Sequence, residues 1–186
     1  MYSVLISNGV IIRERTLWQI KVPLKVKIFM WYMKKGVVLT KDNLGRRNWQ
    51  GNKRCVFCAS METIQHLFFD CHYAKFIWRA VQFTFGLSVP VSVDYMFSDW
   101  LAGVPSKTRS IVLAGAAAIC WAIWLSRNDI VFEKCALKTY MQVLYRGTYW
   151  YRLWAQLQRR EEDKERVKQA CHALENTVMQ VFTSFG

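Results

Sequence analysis

Residues 55–71 read 'CVFCASMETIQHLFFDC' and set Cys55, Cys58, His66 and Cys71 in the pattern C-x2-C-x7-H-x4-C. Two Cys separated by two residues can turn both sulfurs toward one point, and a His and a Cys from the following segment can close a tetrahedron around Zn2+ at about 2.0 to 2.3 Å. Four protein ligands leave no open coordination position, so the spacing predicts one structural zinc rather than a catalytic one. His72, adjacent to Cys71, is the competing ligand, but neighbouring side chains diverge and His66 gives the more regular spacing. The alternative is a metal-free cluster of buried Cys and a core His. Cys120, Cys135, Cys171 and His172 have no comparable spacing and read as bystanders.

Working outward, 'VPLKVKIFMWYMKKG' opens on Pro23, which a first helical turn tolerates, and stops at Gly36, so it predicts a helix. Leu24, Ile28, Trp31 and Tyr32 fall at i, i+4, i+7 and i+8 and form its expected apolar face. A second short helix is expected after Thr40, whose hydroxyl would accept from backbone N–H groups as an N-cap. Downstream of the Cys and His cluster a helix is expected from about Asp70 to Phe85. Gly86, Pro90, Gly103 and Pro105 then mark 86–107 as a linker. An apolar helix over about Thr108 to Glu133 follows, and one or two long helices span about Lys138 to Phe182. The expected architecture is mainly α, with a small Cys-Cys-His-Cys zinc knuckle and long C-terminal helices: 1–85 the zinc-binding domain, 108–186 the helical C-terminal region.

The chain has 186 residues, 53% of them hydrophobic and 15% aromatic with nine Trp, which excludes disorder of the whole. Its longest apolar run, Ile111 to Leu125, is 15 residues, short of the roughly 18 to 20 a membrane span requires. A buried helix is expected there and no membrane span. The N-terminal segment has no basic stretch ahead of its apolar residues and no small-residue cleavage site, so no secretory signal is read; six Cys then point to a reducing compartment. Nucleus or cytoplasm is the expected location, with the mitochondrion left open by Arg13 and Arg15. The net charge is +13, and residues 1–75 hold 13 Lys and Arg against 4 Asp and Glu. A basic excess on that scale suggests a polyanionic partner, and equally serves to keep an apolar chain in solution.

The series 'LWQIKVPLKVKIFMW', 'TKDNLGRRNW', 'CVFC', 'ETIQHLFFDC' and 'YAKFIW' resembles, in order and density, the zinc-binding domain that follows the reverse-transcriptase module in plant LINE-type retrotransposons. The likeness covers about residues 15–84, and 'CWAIWLSRNDIVF' (120–132) resembles the helical continuation found in such plant proteins. The resemblance assigns the metal role to Cys55, Cys58, His66 and Cys71. It implies a domain standing free of its polymerase, because the polymerases of that family carry paired aspartates and no two Asp are adjacent here. No carboxylate set of the ribonuclease H kind, Gly-rich phosphate loop or Ser-centred nucleophile motif is legible either, so no enzymatic activity is expected.

Two functions compete on these residues. In the first, Lys41, Arg46, Arg47, Lys53 and Arg54 neutralise phosphates beside the knuckle while Trp49, with Phe57, stacks on unpaired bases, giving a zinc-stabilised module for RNA or DNA. In the second, the chain is an interaction factor, host-captured or part of a selfish locus and toxic or regulatory in effect. It would bind a protein partner or itself through the aromatic-rich C-terminal helices, with Trp150, Trp154 and Leu174 as the contact residues. There Tyr149, Trp150, Leu153, Trp154 and Leu157 form one apolar stripe, and Val167, Cys171, Leu174, Val178 and Val181 repeat at spacings of 4, 3, 4 and 3. An ordinary core-facing helix is the alternative for that repeat.

Overall fold

The computed structural model describes residues 16–136 and 139–184, and the side chains among them up to 181. Helices dominate: α1 (Leu24–Lys34), α2 (Lys41–Gly45), α3 (His72–Phe85), α4 (Val93–Met96), α5 (Ser106–Phe132), α6 (Tyr140–Trp154) and α7 (Glu161–Ser184). Among the described residues, β pairing is limited to an isolated antiparallel bridge between Arg54 and Met61. The expected class, mainly α with long C-terminal helices, is what the chain adopts. Arg13 and Arg15 lie outside the described residues.

The expected boundaries of α1 hold, since the Pro23 carbonyl accepts from the Val26 and Lys27 N–H groups and Gly36 takes a left-handed φ of 72° past the end. Its buried face is a different one. Val26, Phe29, Met30 and Met33 point inward, whereas Leu24 is 65% and Tyr32 44% exposed. Because this helix is apolar on both sides, periodicity alone does not select the inner stripe. Phe29 selects it, packing its ring against Phe68, Trp121 and Trp124 at centroid distances of 5.9, 5.2 and 5.9 Å.

Residues 86–107 are not a solvated linker. They fold back as α4, capped by Ser92 accepting from the Tyr95 N–H, and a 3-10 turn at Asp99–Leu101. Met96, Phe97, Trp100, Leu101 and Val104 are buried, and Trp100 meets Trp78 of α3 edge to face at 5.9 Å. The Gly and Pro residues mark helix ends, with Gly86 closing α3 at φ 68°, while the apolar residues between them return to the core. One continuous cluster of buried side chains runs from Leu17 to Val178, so the two expected domains share a single core.

α5 is the axis of that core. Ile111, Leu113, Ala114, Ala116 to Ala118, Cys120, Ala122 and Ile123 are buried, and its small side chains let α6 lie along it. By length and composition α5 alone among the described residues is long and apolar enough to cross a membrane, but 56% of its most apolar stretch is buried inside the protein. α6 starts at a capping box between Thr139 and Gln142. It is pinned by ion pairs from Arg146 to Asp129 on α5 and from Arg152 to Glu175 on α7 at 2.9 Å. The α7 repeat is a core stripe: Val167, Cys171, Leu174 and Val178 are buried and Val181 is exposed.

Candidate metal centre

The knuckle is built by a short hairpin. The Glu62 N–H donates to the Lys53 carbonyl at 2.9 Å and the Cys55 N–H to the Ser60 carbonyl at 2.8 Å, so 'CVFC' sits at its tip. The Phe57 N–H points at Cys55 Sγ from 3.4 Å, an arrangement that stabilises a thiolate. The chain then enters a π-helical turn, His66–Asp70, in which the Cys71 N–H donates to the His66 carbonyl at 2.7 Å. That wide turn brings Cys71 back beside His66, at the N-terminus of α3, where helix polarity favours negative charge.

The four ligand atoms lie within 4.8 Å of one another. Cys55 Sγ is 4.0 Å from Cys71 Sγ, and Cys58 Sγ is 3.1 Å from His66 Nε2. A tetrahedron with zinc–sulfur bonds of about 2.3 Å has edges of about 3.8 Å, so the donor set fits the ion with adjustments of about an ångström. Cys55 and Cys71 are buried while Cys58 and His66 are half-buried. The hydrogen bond from Cys71 draws the Cys55 thiol well below its ordinary range. The same contact, with burial, pushes Cys71 up, so the pair holds one proton that a divalent cation would displace. His72 is directed elsewhere, its ring 5.7 Å from that of Tyr140. Among the described residues this is the one grouping of His, Cys, Asp and Glu arranged to hold a metal ion.

The basic residues divide. Arg46, Arg47, Lys53 and Arg54 are exposed, but Lys41 is buried and its ammonium donates to the Arg54 carbonyl at 2.6 Å. Lys41 is therefore a strut for the knuckle and not a phosphate contact. Trp49 is 38% exposed, with its ring lying on Gly51, where any Cβ would collide with it. Phe57 is buried and stacks on Tyr73 at 4.6 Å, so it is core. Of the residues expected to meet a partner, Trp154 and Leu174 are 3% and 5% exposed and covered by their own chain, and Trp150 is half-buried. The outer positions of that stripe are instead Tyr149, Leu153 and Leu157.

Sequence reasoning misses Glu62 and Arg127. Both are fully buried, and Glu62 Oε1 accepts from Arg127 Nε at 3.1 Å, Arg127 Nη2 at 2.7 Å and the Lys41 N–H at 3.0 Å. Glu62 thus performs the capping expected of Thr40, whose hydroxyl turns to Asp42 and makes no cap bond. The available signal is a lone Arg in the apolar stretch 'CWAIWLSRNDIVF'.

Comparison with known proteins agrees with this geometry. Residues 1–78 match the family described as zinc-binding in reverse transcriptase. A protein of Arabidopsis thaliana whose name refers to ribonuclease H is 32% identical over 66 residues, which are 35% of this chain and 11% of that protein. The chain therefore spans only a small part of that relative's length. No solved structure matches. Cys55, Cys58, His66 and Cys71, whose donor atoms the fold gathers, all lie inside the matched stretch, so the N-terminal 78 residues resemble a zinc-binding region found in reverse transcriptases.

Proposed function

We propose that this chain is a non-enzymatic, zinc-ordered module that binds single-stranded nucleic acid, with one structural Zn2+ held by Cys55, Cys58, His66 and Cys71. The observation that supports it is the loop between α2 and the knuckle. Arg46, Arg47, Lys53 and Arg54 are exposed there around Trp49, whose ring packs against Gly51 with over a third of the residue's surface open. Guanidinium and ammonium groups neutralise phosphates and release counterions, while an indole face stacks on any unpaired base, so such a surface needs no sequence preference. The four-ligand centre leaves no position for substrate, which supports a structural role for the metal. The name of the Arabidopsis relative carries no activity over, since the similarity spans 11% of it.

Titration of the zinc-loaded protein with labelled single-stranded RNA and DNA at several salt concentrations tests the reading. Binding should weaken with salt, and Arg46→Ala with Arg47→Ala should lower the slope of log K against log salt by about 1 for each phosphate no longer neutralised. Trp49→Ala should cost about 1–3 kcal/mol at any salt. Binding unaffected by these substitutions, or absent at low salt, refutes the proposal.

A second reading, an interaction factor acting through the C-terminal helices, is favoured by the exposure of Tyr149 (58%) and Leu153 (51%) one turn apart on α6. Sedimentation of wild type against Leu153→Glu distinguishes it, since self-association through this stripe should disappear in the variant while nucleic-acid binding is retained.

A further inference from the structure

Away from the knuckle, α3, α5, α6, α7 and the folded-back 86–105 segment line a cavity of about 440 Å³ that is partly open to solvent. Its wall includes Trp78, Gly115, Ala116, Gly147, Tyr151 and Ala170, and no Asp, Glu, Lys, Arg or His contributes to it. Two of these are glycines inside helices, where glycine costs about 1 kcal/mol relative to alanine. Gly115 keeps room beside α6, since a Cβ on it would press to 3.1 Å on the Tyr151 ring, whereas a Cβ on Gly147 would meet Ala122 and Ile119 at an ordinary 3.7 Å.

Every side-chain donor on the wall is already engaged by the protein. Tyr151 Oη donates to the Ile111 carbonyl at 2.6 Å, Trp78 Nε1 to the Phe68 carbonyl at 2.8 Å, Trp100 Nε1 to the Ser88 carbonyl at 2.5 Å, and Cys171 Sγ to the Thr148 carbonyl at 3.5 Å. The Thr148 hydroxyl donates toward the Tyr145 carbonyl and contacts Glu175. Ordered water in a cavity is held by two to four polar partners, and this wall offers it no free side-chain donor, whereas an apolar molecule needs none.

We infer that this cavity is a binding site for a neutral, apolar small molecule. Its volume lies in the range of ligand sites, about 300–1,000 Å³, and is about three times the ~150 Å³ that accommodates one benzene. That room suits about three aromatic rings or an alkyl chain of about ten carbons. A carboxylate or ammonium in the ligand would find no counter-charge and would lose its hydration, so charged analogues are rejected. The site is separate from the metal centre and from Trp49 and its basic neighbours, so it stands or falls independently of nucleic-acid binding.

The test uses the full zinc-loaded chain and the neutral fluorophore N-phenyl-1-naphthylamine beside its anionic counterpart 8-anilino-1-naphthalenesulfonate. The expected result is saturable binding of one neutral probe per chain, displaced by 1-decanol and not by decanoate. Ala170→Phe on the half-buried part of α7 and Gly103→Leu, whose Cβ would meet nothing within 4 Å, should fold and each weaken the probe at least tenfold. If one variant fails to fold, the other and the decanol competition still decide. Absence of saturable binding up to the probe's solubility overturns the inference. So does equal binding by filled variants, or a preference for the sulfonate, which a chain of net charge +13 would show for mere surface adsorption.

Discussion

The Glu62 carboxylate, four residues beyond Cys58, is bound on one oxygen by Arg127 from the far end of α5 at 2.7 Å, with neither side chain reaching solvent. The guanidinium also lies 5.0 Å over the Trp124 ring and donates to Asn128 Oδ1 at 3.0 Å. A charge left alone at such depth is far more costly than the pair is stabilising, by about 3–5 kcal/mol. Arg127→Met and Glu62→Leu are each expected to lower unfolding free energy by about that amount in urea titrations, while the double variant recovers much of the loss. Equal and additive losses would show that the two side chains act separately.

Metal removal should act locally first. Zinc ligands must be deprotonated and converge only in the folded hairpin, so chelation is expected to release one zinc per chain and unfold about residues 50–75. Cys58→Ser and His66→Ala should weaken metal binding, whereas His72→Ala should leave it unchanged, because His72 faces Tyr140. Acid protonates the thiolates, so zinc release should accompany a falling pH. Metal analysis with hydrogen exchange across the hairpin checks each of these. Zinc retained by the His66 variant and released by the His72 variant would reverse the ligand assignment.

The metal cluster is legible because ligand spacing within 17 residues is a local property. Helix ends are legible for the same reason, at Pro23, Gly36 and Gly86. What local pattern does not carry is which side of an apolar helix meets a distant one, and so periodicity picks the wrong face of α1 and the Gly and Pro residues make 86–107 look like a spacer. Glu62 and Arg127 lie 65 positions apart and become partners only when α5 packs across the knuckle. Lys41 illustrates the same limit from the other side, since a lysine beside arginines reads as surface charge until its ammonium is found on the Arg54 carbonyl.

The α1 assignment yields a direct contrast. Phe29 is 6% exposed and touches three aromatic rings, so Phe29→Ala is expected to cost about 3–5 kcal/mol. Leu24→Asn, on the face that periodicity favours, should change stability by no more than about 0.5 kcal/mol. Thermal unfolding of the two variants separates the faces, and the reverse order would restore the Leu24, Ile28, Trp31 and Tyr32 stripe as the buried one.

Alkaline stability tests the burial of α7. Burial pushes the Cys171 thiol up to about 12, and burial likewise raises Cys120 and Tyr151 above their usual ranges. A raised folded-state value means that the native protein keeps a proton which the unfolded chain has begun to lose. The contribution is therefore complete below the unfolded thiol value of about 8.5 and disappears as pH rises toward 12. Each thiol should steepen the loss by about tenfold in the folding constant per pH unit across that window, and Tyr151 should add to it above its unfolded value of about 10. Cys171→Ser keeps a hydroxyl that can reach the Thr148 carbonyl and does not ionise, so its urea midpoint should fall less steeply than wild type between pH 9 and about 11. An unchanged slope would mean that the thiol is solvated in the native state and that α7 does not close over it.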